Sequence, residues 1–332
     1  MPESHSPRLQ HLPLPLFAAP MGLGGLGLAW REAAITLHLP DTVSEALLAL
    51  AGLAWLLIAL AHLLRAWRHP QALADDLRHP IRSAFAAAIT VGLMILSGGL
   101  LPHAPTAAAW LWLLAVVLHL ALAVWIVNGL LSRPREVTTL LPPLLIPLVG
   151  NILAPVFGAK LGFEILSWML FGIGALLWVL IQPTMLSRII SGPQLPERMR
   201  PTLAILVAPP AVGSLSLAAL NGGSFGHASI ALLGFALLIA TTLLSMARGL
   251  FGIPFTVAWW AWTFPSAALT AAALKAAHEY PAIWHAPALG LMLAAVSLLI
   301  LGILAMTLQA AISGALFQPE PAAGPPPAPA AK

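Results

Sequence analysis

Few side chains in this sequence can do chemistry, and their positions limit what that chemistry is. Of the 11 Asp and Glu residues, none lies near the middle of an apolar run; Glu136, Glu164 and Glu279 sit at ends. A charge at the centre of a membrane helix costs about 2.5–3.5 kcal/mol on insertion scales, so ion-coupled carriers keep only the few they use. A carboxylate proton relay therefore has no residues here. Two histidines do lie at depth, His119 midway along one run and His62 late in another. The plain reading of each is a neutral ring bonded to a neighbouring carbonyl or hydroxyl; proton handling is the alternative. No histidine pair has zinc-ligand spacing on one face. Cysteine is absent, which removes disulfides, thiol catalysis and cysteine metal sites. No nucleophile–base set survives, so the chain reads as neither an enzyme nor a holder of metal or cofactor.

The remaining polar and small residues point to a conduit. Gly22, Gly24, Gly25 and Gly27 satisfy G-x-G-x-x-G, but no strand precedes them and no βαβ unit follows, so the dinucleotide reading fails. Close helix packing explains them, with or without room along a pore wall. Gly150-Asn151 sits among Pro142, Pro143, Pro147 and Pro155. Asn151 has three readings: capping carbonyls freed by Pro155, bridging helices, or lining a pore. The pair Pro209-Pro210 must locally unwind its helix, and unwound backbone beside a cavity is where transport proteins handle substrates. In Trp259-Trp260-Ala261-Trp262-Thr263-Phe264-Pro265, Pro265 takes the donor from the Ala261 carbonyl and bends the helix at Phe264. The aromatics can simply face lipid or a packed neighbour. Phe264, however, adjoins the bend near mid-span, where a ring on the axis would close a pore by dewetting.

The elements that must position these residues are membrane helices. The chain is 60% hydrophobic and 8% charged over 332 residues, against about 25% charged for soluble domains. Ten apolar spans occur at 13–30, 43–67, 81–101, 108–131, 137–157, 161–183, 201–220, 228–248, 254–275 and 286–316. Crossing a hydrocarbon core takes about 20 helical residues, so ten spans use most of the chain; β-barrel alternation is missing. Proline interrupts the first (Pro20), fifth, seventh and ninth spans, and the third carries Gly92, Gly98 and Gly99. The even spans lack interior proline, except for Pro183 at the end of the sixth. A proline inside a helix is tolerated in lipid only where protein or a cavity covers the freed carbonyl. The expected fold is therefore all-α: ten transmembrane helices as five hairpins in a quasi-fivefold ring, the bent odd helices lining a central pore.

Loop charges set the orientation. With the N-terminus cytoplasmic, that side holds twelve basic residues and the other only Arg31, Lys160 and Lys275, a strong positive-inside bias. Arg82, Arg133 and Arg188 would form an electropositive cytoplasmic mouth that gathers anions; orientation and lipid-phosphate contact explain them equally simply. The net charge of +4 sits in loops and does not indicate nucleic-acid binding. Residues 1–12 read as a cytoplasmic lead, 13–317 as the pore domain and 318–332 as a disordered Pro/Ala-rich cytoplasmic tail. Arg8 before an apolar run suggests a signal peptide, but Pro20 interrupts that run and no clear A-x-A site follows.

PMGLGGLGLAW in the first span, HPIRSAF entering the third, PLVGN in the fifth, RPTLAILVAPPAVG in the seventh and VAWWAWTFP in the ninth together resemble the tellurite-resistance/dicarboxylate transporter family. That family includes TehA-type bacterial proteins and plant slow anion channels. The resemblance extends from about residue 13 to 316. It implies a homotrimer in the bacterial inner membrane, each protomer with its own pore occluded by a ninth-helix phenylalanine, here Phe264. It also implies small anions as the transported species: chloride, nitrate, malate and other dicarboxylates, or sulfite. A proton-coupled carrier exporting dicarboxylate or sulfite, and a tellurite-resistance exporter, are the alternatives.

Overall fold

The computed structural model describes residues 8–132, 136–250 and 252–318. Among them the chain is helical, joined by short turns, with no β-strand. The principal segments in chain order are α1 (Ala18–Leu37), α2 (Thr42–Arg68), α3 (Arg82–Leu100), α4 (Pro105–Ser132), α5 (Pro142–Gly158), α6 (Glu164–Ser191), α7 (Glu197–Leu220), α8 (His227–Ser245), α9 (Thr263–Glu279) and α10 (His285–Ile312). A short helix, Pro70–Arg78, joins α2 to α3. Seven of these segments (α2, α3, α4, α6, α7, α8 and α10) are long and apolar enough to cross a membrane. The other three fall short for visible reasons. Arg31 and Glu32 lie within α1, prolines divide α5 into short pieces, and α9 has 17 residues.

Burial separates the segments into two sets. In α3 and α7, 78% of the most apolar stretch is buried, against 17–33% in α2, α4, α6, α8 and α10. Segments α1 and α9 join the first set, with 12 of 20 and 11 of 17 residues buried. Large apolar side chains of the second set, such as Leu131, Ile165 and Leu298, stand exposed, as a hydrocarbon solvent permits. The buried segments touch in sequence: α1 packs on α3, α3 on α5, α5 on α7, α7 on α9, and α9 on α1. Each also packs on the exposed helix that follows it.

The buried segments share a second property. Each passes from tight 3₁₀ winding to α-helix: Leu14–Phe17 before α1, Arg82–Ala86 in α3, Glu197–Val207 in α7 and Val257–Trp262 before α9. Segment α5 starts 3₁₀ at Pro142–Leu144, turns α-helical at Leu145–Val149 and returns to 3₁₀ at Gly150–Leu153 before its last α-helical stretch. Proline explains most of this. Pro20, Pro155, Pro209, Pro210 and Pro265 all fall within the first three residues of an α-helical portion, where a missing N–H has no helical partner to lose. The carbonyl that proline cannot serve is taken by a residue one closer. Ala154 N–H donates to Asn151, and Ala208 N–H donates to Ile205. The prolines thus tighten the helix, and the local unwinding expected at Pro209-Pro210 is absent: the chain is 3₁₀ up to Val207 and α-helical from Ala208 on. In α3 no proline is present; there the His79 Nδ1 accepts the N–H groups of Ile81 and Arg82 and caps the start.

Ion pairs tie the ends. Arg31 donates to the Gly98 and Gly99 carbonyls and pairs with Glu45 at 2.8 Å, joining α1, α2 and α3. At the opposite end Asp76 is buried and bridges Arg65 at 2.6 Å and Arg82 at 2.9 Å. Removing one member of a buried ion pair costs about 3–5 kcal/mol because the other charge is stranded. Asp76→Ala should therefore lower the thermal unfolding midpoint of detergent-solubilised protein sharply. Asp75→Ala, whose contact with Arg78 is 3.8 Å long and exposed, should leave that midpoint nearly unchanged.

Candidate functional site

A cavity of about 60 Å³ lies where the five buried segments meet. Ala18 and Met21 come from α1, Phe85 and Val91 from α3, Val149, Gly150, Ile152 and Leu153 from α5, Ile205, Ala208, Pro209 and Val212 from α7, and Ala261, Phe264 and Pro265 from α9 and its lead-in. Nearly all lie at or beside the change from 3₁₀ to α winding. No lining side chain can donate or accept a hydrogen bond. An apolar lining of this kind holds water poorly.

Phe264 is the aromatic on the α9 side of this cavity and is 9% exposed. Its place depends on α1. A Cβ added at Gly25 would lie 3.0 Å from Phe264 Cδ2 and 3.4 Å from Ala267 Cβ. One added at Gly22 would overlap the Thr263 hydroxyl, which donates to the Trp260 carbonyl at 2.7 Å. Gly24 faces Ile95 of α3, and Gly27 faces Leu48 of α2. The glycine run therefore gives one helix three close neighbours, as small residues do in membranes.

The other expected site residues take separate places. Gly150, Pro209, Phe264 and Pro265 line the cavity, whereas Pro20, Gly22, Gly24, Gly25, Pro147, Asn151, Pro210 and Thr263 do not. Asn151 is fully buried, and its amide oxygen and nitrogen have no hydrogen-bond partner. Arg188 is also buried, with Nε and Nη1 unpartnered. Arg82 spends one nitrogen on Asp76. Arg133 lies outside the described residues. Reading by residue chemistry alone passed over Met21, Phe85, Val91 and Val212, because nothing distinguishes them from other core residues. Their signal was position near a winding change.

His119 is fully buried behind the wall. Its Nδ1 lies 2.7 Å from Thr90 Oγ1, and that hydroxyl is also within hydrogen-bond reach of the Ala87 carbonyl. The Thr90 hydroxyl thus holds the ring through Nδ1, whichever of the two carries the shared proton. Nε2 has no partner. A Cβ added at Gly150 would meet it at 2.8 Å, so only a glycine separates this nitrogen from the cavity lining.

Comparison with known proteins adds the following. The family model described as SLAC1, voltage-dependent anion channel, matches residues 11–308. The chain is 25% identical over 322 residues to the S-type anion channel SLAH2 of Arabidopsis thaliana, covering 92% of this chain and 61% of that protein. It is 23% identical over 293 residues to the guard cell S-type anion channel SLAC1 of the same plant, covering 84% and 52%. It is 25% identical over 270 residues to the tellurite resistance protein TehA homolog of Haemophilus influenzae, covering 80% and 82%. The chain thus spans little more than half the length of these plant relatives.

Gly150→Ala should drive a methyl group into His119 and cost about 1–3 kcal/mol, as overpacking does. Gly172→Ala, at a helical glycine with open space around it, should be neutral or slightly stabilising. Thermal midpoints of the two variants in one detergent test this contrast.

Proposed function

We propose a function from the premise that this chain belongs to the SLAC1 voltage-dependent anion channel family: it passes small anions across a membrane through the cavity between its buried segments. The observation that carries this reading is the apolar meeting point of five 3₁₀-to-α segments with Phe264 in its wall. Ten crossings follow if α1, α5 and α9 span the membrane beside the seven longer helices. They pair as five hairpins, with the buried member of each facing the axis.

In this reading Phe264 is the plug. A dry apolar constriction excludes ions through the cost of stripping their water, and the absence of a side chain at Gly25 leaves the ring room beside α1. Selection is weak and favours anions that shed water cheaply. The excess of arginine at the end that also carries Arg82 and Arg188 supports a cytoplasmic placement for that end and for both termini, and an electropositive entrance there. The bacterial inner membrane and a homotrimer, each protomer with its own pore, complete the proposal.

A second reading rests on the unpartnered His119 Nε2 behind Gly150. A proton taken there would place a cation next to the cavity, as a proton-coupled carrier of dicarboxylate or sulfite requires. Purified protein in planar bilayers separates the two. Current that reverses at the anion Nernst potential is the channel result. Flux that collapses with a protonophore and in His119→Phe is the carrier result. For the gate, Phe264→Ala should raise anion conductance tenfold or more, about 1.4 kcal/mol off the barrier at the least. Conductance equal to wild type in that variant removes the plug.

A further inference from the structure

A second cleft, with a volume of about 550 Å³, opens at the arginine-rich end between the short helix Pro70–Arg78, the start of α3 and the last turns of α4. Its walls divide by chemistry. Trp125 and Ile126 of α4, with Leu77 of the short helix, supply an apolar side. Arg78, Ser83, Asn128 and Ser132 supply a polar one. Gly129 keeps the floor of the α4 side clear of any side chain.

The polar groups are arranged as donors without acceptors. Ser83 is 2% exposed and lines the cleft, and its hydroxyl has no hydrogen-bond partner among the described residues. The Asn128 Oδ1 already accepts from the Ser132 hydroxyl at 2.6 Å, which turns the Asn128 amide NH₂ toward other partners. Arg78 stands at the rim with 76% of its side chain exposed, and its nearest carboxylate oxygen, on Asp75, is 3.8 Å away. A cation, a buried hydroxyl and an amide donor beside an apolar wall call for a ligand with an anionic oxygen head and an apolar body. The α4 surface running on from the cleft, including Val124, Trp125 and Leu131, is exposed and would lie along an acyl chain.

We infer that this cleft is a binding site for an anionic phospholipid, its phosphate held by Arg78, Ser83 and Asn128 and its acyl chain laid against Trp125. The inference rests on the membrane location of the chain and not on anion conduction. It also gives the short helix a role, since Arg78 and the buried Asp76 of the same helix would couple a bound lipid to Arg82 at the start of α3.

The test uses the full chain reconstituted in vesicles of phosphatidylcholine with an equal mole fraction of either brominated phosphatidylglycerol or brominated phosphatidylcholine. Of the 12 tryptophans, the share of quenching due to Trp125 is the difference between wild type and Trp125→Phe. That share should show a preference of about fivefold for phosphatidylglycerol, as one arginine meeting one anionic headgroup provides. Arg78→Ala should abolish it. Ser83→Leu, which fills the cleft and leaves Arg78 in place, should abolish it too, whereas Arg68→Ala at an exposed arginine outside the cleft should not. Equal quenching by the two lipids overturns the inference. So does a preference that survives Ser83→Leu, which would be general surface attraction. Absence of Trp125 quenching by both lipids overturns it as well, because a second copy seated over the cleft would produce that result. Loss of the preference in excess inorganic phosphate would mark a site for the free anion and overturn the lipid assignment.

Discussion

Backbone amides and carbonyls in a hydrocarbon solvent must find partners within the protein, and this chain places prolines in the segments where that demand is strictest. The two facts are reconciled by winding. A proline in the first turn of an α-helix loses nothing, and a 3₁₀ lead-in lets the preceding carbonyls accept from residues three ahead. The Ile205 and Asn151 carbonyls are served in this way. Such runs are seldom longer than three or four residues, yet Glu197–Val207 extends for 11. That run is packed against α8, α9, the start of α5 and the Val257–Trp262 lead-in.

The winding change also makes the cavity. A 3₁₀ helix rises about 2.0 Å per residue and stacks every third side chain, whereas an α-helix rises 1.5 Å and repeats every 3.6. Where one gives way to the other, side-chain rows shift in phase and neighbouring helices cannot interdigitate fully. Five such shifts at one depth leave the space beside Phe264. Glycines then decide how close the walls come. The contacts of Gly25 with Phe264 and of Gly150 with His119 are near the limit of what a hydrogen in place of a methyl allows.

Polar groups mark the depth of the structure. At the ends several are paired, Glu45 with Arg31 and Asp76 with Arg65 and Arg82, although Arg188 keeps Nε and Nη1 unpartnered. Glu279 accepts the Phe225 N–H with both oxygens. At the centre the polar atoms of Asn151 and His119 Nε2 stand without partners. Burying an unpaired polar group costs roughly 1–3 kcal/mol, so these residues are the costly part of an otherwise apolar interior. His119 Nε2 comes up to the back of the wall at Gly150, but the lining itself stays apolar.

Much of the fold could be read from residue order. The membrane class and the alternation of interrupted and uninterrupted spans follow from composition and proline spacing, because hydropathy and the missing proline N–H are local properties; the family resemblance rests instead on segments such as PMGLGGLGLAW and VAWWAWTFP. Phe264 could be singled out for the same reason, as an aromatic one residue before Pro265. The identity of the other wall residues could not. Whether Val91, Met21 or Val212 meets the cavity depends on helix phase, and the phase is reset by a winding change that sequence periodicity at 3.6 residues does not register. The same holds for the glycines: their spacing announced close packing, but only the packed structure assigns Gly22 and Gly25 to α9, Gly24 to α3 and Gly27 to α2. Neighbours in space are chosen by all the helices at once, and no single span carries that information.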